Sequence, residues 1–81
     1  MIQVVIPSGL RSFTGVERVA LAARDVRGVV KELDARFPGF AERLGARFAV
    51  AIDGEIVQDP WLEPVATGSE LHFLPPVSGG A

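Results

Sequence analysis

The sequence predicts an α+β domain in which a mixed sheet of four to five strands packs on one main helix. Three observations lead to this prediction. The elements follow the order strand, strand, helix, strand, short strand, strand. One segment has apolar residues at helical spacing, whereas the other segments alternate in the manner of half-buried strands. A chain of 81 residues has room for a single domain with one such pair of layers.

The first two strands are predicted from β-branched, alternating segments at residues 1–6 (MIQVVI) and 16–22 (VERVALA). Residues 10–15 (LRSFTG) between them are predicted to form a loop or turn. Arg11 and Arg18 are interpreted as solvated charges in preference to contacts with a partner, although the sequence leaves both roles open.

The main helix is predicted to begin after Asp25, a favourable N-cap residue, and to end before Pro38-Gly39. Its apolar stripe consists of Val26, Val29, Val30, Leu33 and Phe37. Gly28 interrupts this segment at a cost of about 1 kcal/mol relative to alanine. Residues 40–45 (FAERLG) are predicted to add a short helical turn.

The third strand, residues 48–52, and a short fourth strand, residues 55–57, are joined by the strong turn signal Asp53-Gly54. Alternation along the third strand places Ala49 and Ala51 on the face opposite to the core residues.

The segment that follows, residues 59–68, contains two prolines and is predicted to be irregular. Trp61 and Leu62 are expected to cover the core from this loop. The helix is expected to cover only one face of the sheet, which leaves the other face open.

The last eleven residues (LHFLPPVSGGA) begin as a strand, with Leu71 and Phe73 in the core. Pro75 and Pro76 then end the ladder of hydrogen bonds, because proline has no N–H, and they hold the backbone extended. The small residues after them cannot build a core, so this segment is interpreted as a projecting arm.

The composition excludes several classes of function. The net charge is −2 and the basic residues are scattered, which argues against a nucleic-acid partner. No apolar run approaches the ~20 residues that a membrane span requires, and no signal peptide precedes the domain, so we expect no membrane partner and a cytoplasmic location.

The chain has no cysteine, and His72 is its only histidine. A catalytic triad with Ser8, Ser69 or Ser78 lacks a nucleophile elbow, and no metal-ligand spacing is present. We therefore predict no catalytic residue and no metal site.

Residues 70–80 (ELHFLPPVSGG) resemble the end of the ThiS/MoaD family of ubiquitin-like sulfur carrier proteins, and the spacing also resembles the last strand and tail of ubiquitin. The resemblance spans nearly the whole chain. It implies a β-grasp (ubiquitin-like) domain at residues 1–75, with the first and last strands parallel at the centre of the sheet, and a flexible tail at residues 76–81.

The resemblance also implies a chemistry for the tail. A ubiquitin-activating-type enzyme would use ATP to adenylate Gly80, and a sulfur donor would then form a thiocarboxylate there, with no cofactor bound by the chain itself. Val77, Ser78 and Gly79 would allow passage into a narrow site. Ala81 departs from the family pattern, and we favour its removal by a metal-dependent peptidase over an altered sequence or a different function.

Partners follow from the same resemblance. The outward residues His72, Leu74, Ala49 and Ala51 resemble the partner-binding patch of ubiquitin, although cover by a loop is an equally open alternative. The sulfur acceptor would be a molybdopterin synthase large subunit or a cysteine synthase-like enzyme. The tail and the length favour the first, whereas IPSGLRSFTG and DARFPG favour the second.

Two other functions remain as alternatives. The first alternative is a ubiquitin-like modifier that is joined to lysines through Gly80. The second is a binding module that uses the open sheet face without covalent chemistry. In none of these cases is the chain itself an enzyme.

Overall fold

The computed structural model describes residues 1–75, which form five strands and three short to medium helices. The strands are β1 (Ile2–Val5), β2 (Arg18–Leu21), β3 (Ala49–Ile52), β4 (Glu55–Gln58) and β5 (Glu70–Leu74), and the helices are α1 (Arg11–Thr14), α2 (Val26–Arg36) and α3 (Phe40–Leu44). Within this described range, no helix is both long enough and apolar enough to cross a bilayer.

The sheet has the strand order β2-β1-β5-β3-β4. The central pair, β1 and β5, is parallel, with Val4 beside Leu71, and the other three pairs are antiparallel. The predicted mixed sheet of four to five strands, with its first and last strands parallel at the centre, is therefore confirmed, and it has five strands. The arrangement places β5 between β1 and β3, where both of its edges are hydrogen-bonded.

The long helix α2 begins as predicted. The Asp25 side chain accepts a hydrogen bond of 2.7 Å from the backbone N–H of Gly28, which satisfies one of the unpaired donors of the first turn. A Cβ on Gly28 would lie 3.2 Å from Asp25 Oδ1. The missing side chain thus leaves room for the capping carboxylate.

The core lies between α2 and one face of the sheet. The four predicted positions Val26, Val29, Val30 and Leu33 are buried, whereas Phe37 ends the helix and is half-buried.

Aromatic rings close one end of the core. The ring centroids of Phe48 and Phe73 are 5.5 Å apart, and Phe40 lies 6.1 Å from Phe73. Edge-to-face contacts of this kind add to the stabilisation that burial itself supplies.

Two local predictions were wrong. Residues 10–15 were predicted as a loop or turn, but Arg11–Thr14 form the helix α1 after a 3₁₀ turn (Ser8–Leu10), and the chain leaves α1 through Gly15 at φ +76°. In the loop before β5, Trp61 covers the core, with its ring 4.9 Å from that of Phe48. Leu62 is 78% exposed instead, since Pro60 occupies the buried position of this loop.

The candidate docking surface and the root of the tail

The open face of the sheet carries the residues predicted for partner binding. Ala51 lies opposite His72, and Ala49 lies opposite Leu74. On the other side of β5, Val5 is the partner of His72. Residues paired across a ladder point to the same side of a sheet. All five side chains therefore lie on the face that α2 does not cover.

These positions differ in exposure. The His72 side chain is 41% exposed, and Leu74 and Ala51 are half-buried. Ala49 is only 1% exposed, because its methyl group lies between the longer side chains of Leu74 and Gln58 on the paired strands. Ala49 thus shares the face but offers no surface to a partner, contrary to its predicted place in the patch.

Besides Val5, sequence analysis missed a well-exposed apolar member of this face. Ile56 on β4 lies opposite Ala51 and is 60% exposed. A tight turn at Asp53-Gly54 pairs Ala51 with Ile56. The turn signal in the sequence was therefore sufficient to place Ile56 on the same face as Ala51. We call His72, Leu74, Ala51 and Ile56 the sheet patch.

A charged network borders the sheet patch. Arg18 on β2 donates a hydrogen bond of 2.9 Å to Glu70, and the other carboxylate oxygen of Glu70 lies 2.8 Å from His72 Nε2. The Arg18 guanidinium, and secondly His72, hold the pKa of Glu70 below its ordinary value of 4.5. Arg18 therefore has an intramolecular partner and is not simply a solvated charge.

The other predicted arginine also has contacts within the chain. Arg11 Nε donates to the carbonyl of Ile6 at 3.1 Å, and its guanidinium lies 3.6 Å from Glu17. Binding of a partner by Arg11 would have to compete with both contacts.

The beginning of β5 is held by the turn between β3 and β4. Asp53 adopts φ +50°, and its carboxylate accepts a hydrogen bond of 2.9 Å from the backbone N–H of Glu70. That hydrogen bond, together with the Ser69 hydroxyl, lowers the pKa of Asp53. Ser69 is buried and its hydroxyl acts on the Asp53 carboxylate, so the structure does not pair it with His72.

Histidine and carboxylate side chains do not converge on a metal site. Within residues 1–75 there is no group of three such side chains that would hold a metal ion. The His72 ring contacts the Glu70 carboxylate at the edge of the sheet patch. The group beside His72 is therefore a carboxylate and not a nucleophile.

A cleft lies where β5 ends. It has a volume of about 420 Å³, and sequence analysis did not predict it. Its apolar lining consists of Pro7, Leu10, Leu44, Phe48, Phe73, Leu74 and Pro75. Arg43 and Arg47 line it as well. We call this feature the root cleft, because Pro75 is the last described residue before the predicted tail.

The predicted tail, residues 76–81, lies outside the described residues. The predicted roles of Val77 to Ala81 in adenylation, passage and processing stay predictions. The described part of the chain ends at Pro75, directly after β5 and beside the root cleft.

The five-stranded mixed sheet with α2 on one face defines a ubiquitin-like β-grasp protein. A model of the ThiS family matches residues 4–80. The chain therefore belongs to the ThiS family, and the solved structures that it resembles are of small carrier proteins that act as co-substrates and not as catalysts.

Solved structures agree with this assignment. A chain of the Amycolatopsis orientalis BexX/CysO complex is 27% identical with a TM-score of 0.82, over 99% of this chain and 100% of that one. Small archaeal modifier protein 1 from Haloferax volcanii is 25% identical with a TM-score of 0.70, over 98% of both chains.

A third similar structure is of a protein with a different name. A putative molybdopterin converting factor, subunit 1, from Pyrococcus furiosus is 25% identical with a TM-score of 0.63, over 94% of this chain and 97% of that one. A search of curated proteins finds no match.

Proposed function

We propose that the chain is a sulfur carrier that is activated at Gly80 and donates sulfur from a thiocarboxylate to a biosynthetic enzyme. The observation that carries the proposal is the family match over residues 4–80, which runs from β1 through Gly79-Gly80. The geometry supports it, since β5 is hydrogen-bonded to β1 along one edge and to β3 along the other. Pro75, which follows β5, therefore lies at a defined position at one end of the sheet.

The chemistry requires activation because a carboxylate is a poor electrophile. Attack of the Gly80 carboxylate on ATP forms an acyl-adenylate and releases pyrophosphate. A hydrosulfide equivalent then attacks the acyl carbon, forms the C–S bond and expels AMP. Both steps belong to partner enzymes, and this chain supplies the reacting carbon on an arm narrow enough to enter their sites.

Ala81 must be removed before this chemistry can begin. Hydrolysis of the bond between Gly80 and Ala81 would free the reacting carboxylate. The family match ends at residue 80, which supports Gly80 as the functional end. We assign the cut to a metal-dependent peptidase.

The sheet patch is the surface that we assign to docking. His72, Leu74, Ala51 and Ile56 present accessible apolar and polar surface on one face, and a projecting tail needs a body that a partner can orient. The adenylating enzyme and the sulfur acceptor would use this surface in turn.

The acceptor belongs to one of two pathways. Similarity to a chain of the BexX/CysO complex and the segments IPSGLRSFTG and DARFPG favour a cysteine synthase-like acceptor. Similarity to a molybdopterin converting factor subunit favours a molybdopterin synthase large subunit. Mixing with such a large subunit should give a 1:1 complex on size exclusion if the second pathway applies, and absence of any complex would eliminate it.

The decisive experiment is the intact mass of the protein recovered from its native cells. We expect loss of one alanine residue and replacement of one oxygen by sulfur. A Gly80→Leu variant is the matched control, and it should show no sulfur. A mass that retains Ala81 under every growth condition would contradict the proposal and favour the non-covalent binding module.

A ubiquitin-like modifier is the second candidate. The similarity to small archaeal modifier protein 1 favours it, and the activation step would be shared. Here a lysine amine, not sulfide, would attack the acyl-adenylate and form an isopeptide bond. Slower-migrating covalent products in cells that express the chain without Ala81 would support this function, and their absence would argue against it.

A further inference from the structure

The root cleft has a mostly apolar lining that includes two exposed arginines. Leu44, Phe48 and Leu74 are among its apolar lining residues, and Arg43 and Arg47 are its cationic ones. Among the described lining residues there is no carboxylate. The cleft is therefore a local positive site on a chain whose net charge is −2.

The two arginines are available for a partner. In the part of the chain that the structure describes, neither Arg43 nor Arg47 forms an ion pair with a carboxylate. The Arg43 guanidinium lies over the Phe13 ring, 4.1 Å from its centroid. This stacking orients the guanidinium, so less side-chain freedom is lost when it binds an anionic group.

The position of the cleft relates it to the tail. Pro75 and Leu74 line it, so a protein that takes in the residues after Pro75 must pass beside this cleft. The sheet patch also includes Leu74. The cleft is thus continuous with the surface assigned to docking, but it is formed largely by other residues.

We propose that the root cleft binds an extended segment of the adenylating enzyme in which acidic residues flank apolar ones. Apolar side chains of that segment fill the cleft between Leu44, Phe48 and Leu74, and its carboxylates pair with Arg43 and Arg47. This inference rests on the proposed function for the identity of the partner, whereas the chemistry of the bound segment rests on the cleft alone.

The first test uses the full chain and two synthetic peptides. The probes are Asp-Leu-Phe-Glu-Leu and Lys-Leu-Phe-Lys-Leu, both blocked at each end. In a ¹⁵N-NMR titration, the acidic peptide should shift the amides of Leu44, Phe48 and Leu74, and the shifts should weaken in high salt. Equal binding of both peptides, or no shift at these amides, would overturn the proposal.

Variants separate charge from folding. The pair Arg43→Glu with Arg47→Glu should weaken binding of the acidic peptide by roughly tenfold or more. The pair Arg43→Lys with Arg47→Lys keeps the charge and should retain most of the binding. Arg27→Glu is the control for one of the two charge reversals, since it replaces an exposed arginine outside the cleft with glutamate. Equal weakening by Arg27→Glu would overturn the proposal.

The second test connects the cleft to activation. The glutamate pair should lower the thiocarboxylate fraction in native cells several-fold relative to Arg27→Glu. If the original chain carries a thiocarboxylate and the glutamate pair carries as much, the cleft does not bind the adenylating enzyme. If the original chain carries none, the proposed function fails, and the peptide titration still decides the chemistry of the cleft.

A small anion is the competing occupant. Titration with inorganic phosphate alone should shift the amides of Leu44 and Phe48 much less than the acidic peptide does, because phosphate can pair with the arginines but cannot fill the apolar part of the cleft. Shifts at these amides with phosphate that match those with the acidic peptide would assign the cleft to small anions and overturn the proposal.

Discussion

Alternate residues of the short strand β5 lie on opposite faces of the sheet, in different environments. Leu71 and Phe73 face α2 and are 0% and 6% exposed. His72 and Leu74 face outward and remain partly accessible. The difference separates two roles, since residues on the first face hold the domain together and residues on the second face are available to a partner. Substitutions on the two faces should therefore affect different measurements.

The largest expected effect is on the covered face. Phe73→Ala should lower the free energy of unfolding by about 3–5 kcal/mol, because the ring contacts both Phe40 and Phe48 in the core. Leu74→Ala, its neighbour on the open face, should lower it by about 1 kcal/mol. Denaturant unfolding followed by Trp61 fluorescence measures both, and equal losses would contradict the division between the faces.

The helix that covers this face offers a smaller test. Asp25→Ala removes the acceptor for the Gly28 N–H and should reduce the free energy of unfolding by about 1 kcal/mol. Asp25→Asn retains an acceptor oxygen and should lose much less. A loss as large in the asparagine variant would show that the carboxylate has another role.

Acid should reveal the network at the edge of the open face. The pKa of Glu70 is lowered on folding, so the unfolded chain binds more protons in acid. The stability that the ionised Glu70 carboxylate gives the folded chain is fully present above the ordinary pKa of 4.5. It is lost as the pH falls through the lower pKa of the folded state. Glu70→Gln should therefore flatten the loss of stability below that pH.

The control for this pH dependence is Glu55→Gln, which removes a carboxyl group outside the network. It should leave the acid limb of the stability curve close to that of the original chain. An equal flattening by both variants would show that the Arg18–Glu70–His72 contacts do not cause the acid sensitivity. Urea unfolding at a series of pH values provides the comparison.

The smallest expected effect on stability lies farthest from the core. Ile56→Ser removes an exposed apolar side chain and should change the free energy of unfolding by less than about 0.5 kcal/mol. It should nevertheless weaken binding to the adenylating enzyme, measured by calorimetry, if the sheet patch is the docking surface. Unchanged binding would remove Ile56 from that surface.

Local periodicity made most of the fold predictable. Alternation in residues 48–52 and 71–74 and the stripe of α2 each lie within one segment, so the sequence alone reveals them. Residues 8–14 lack such a pattern, and a helical turn there depends on packing. The exposure of Leu62 was likewise unpredictable, because either Pro60 or Leu62 was compatible with the buried position.

The candidate site was predictable only in part. The face that carries His72 and Leu74 follows from alternation along one strand, whereas the burial of Ala49 depends on longer neighbours from two other strands. The root cleft combines residues from the 3₁₀ turn, α3, β5 and the segments next to them. No spacing in the sequence brings Arg43, Arg47 and Pro75 together, so only the fold could reveal it.

The parallel pairing of Val4 with Leu71 has a consequence for biosynthesis. β1 leaves the ribosome well before β5, and the centre of the sheet forms only when both strands are present, so the domain folds only after Glu70–Leu74 has been synthesised. A fragment that stops before Glu70 lacks the central strand and should remain open to proteolysis. Cells would thus degrade incomplete chains early, and a folded body would accumulate only with the strand that leads into the tail.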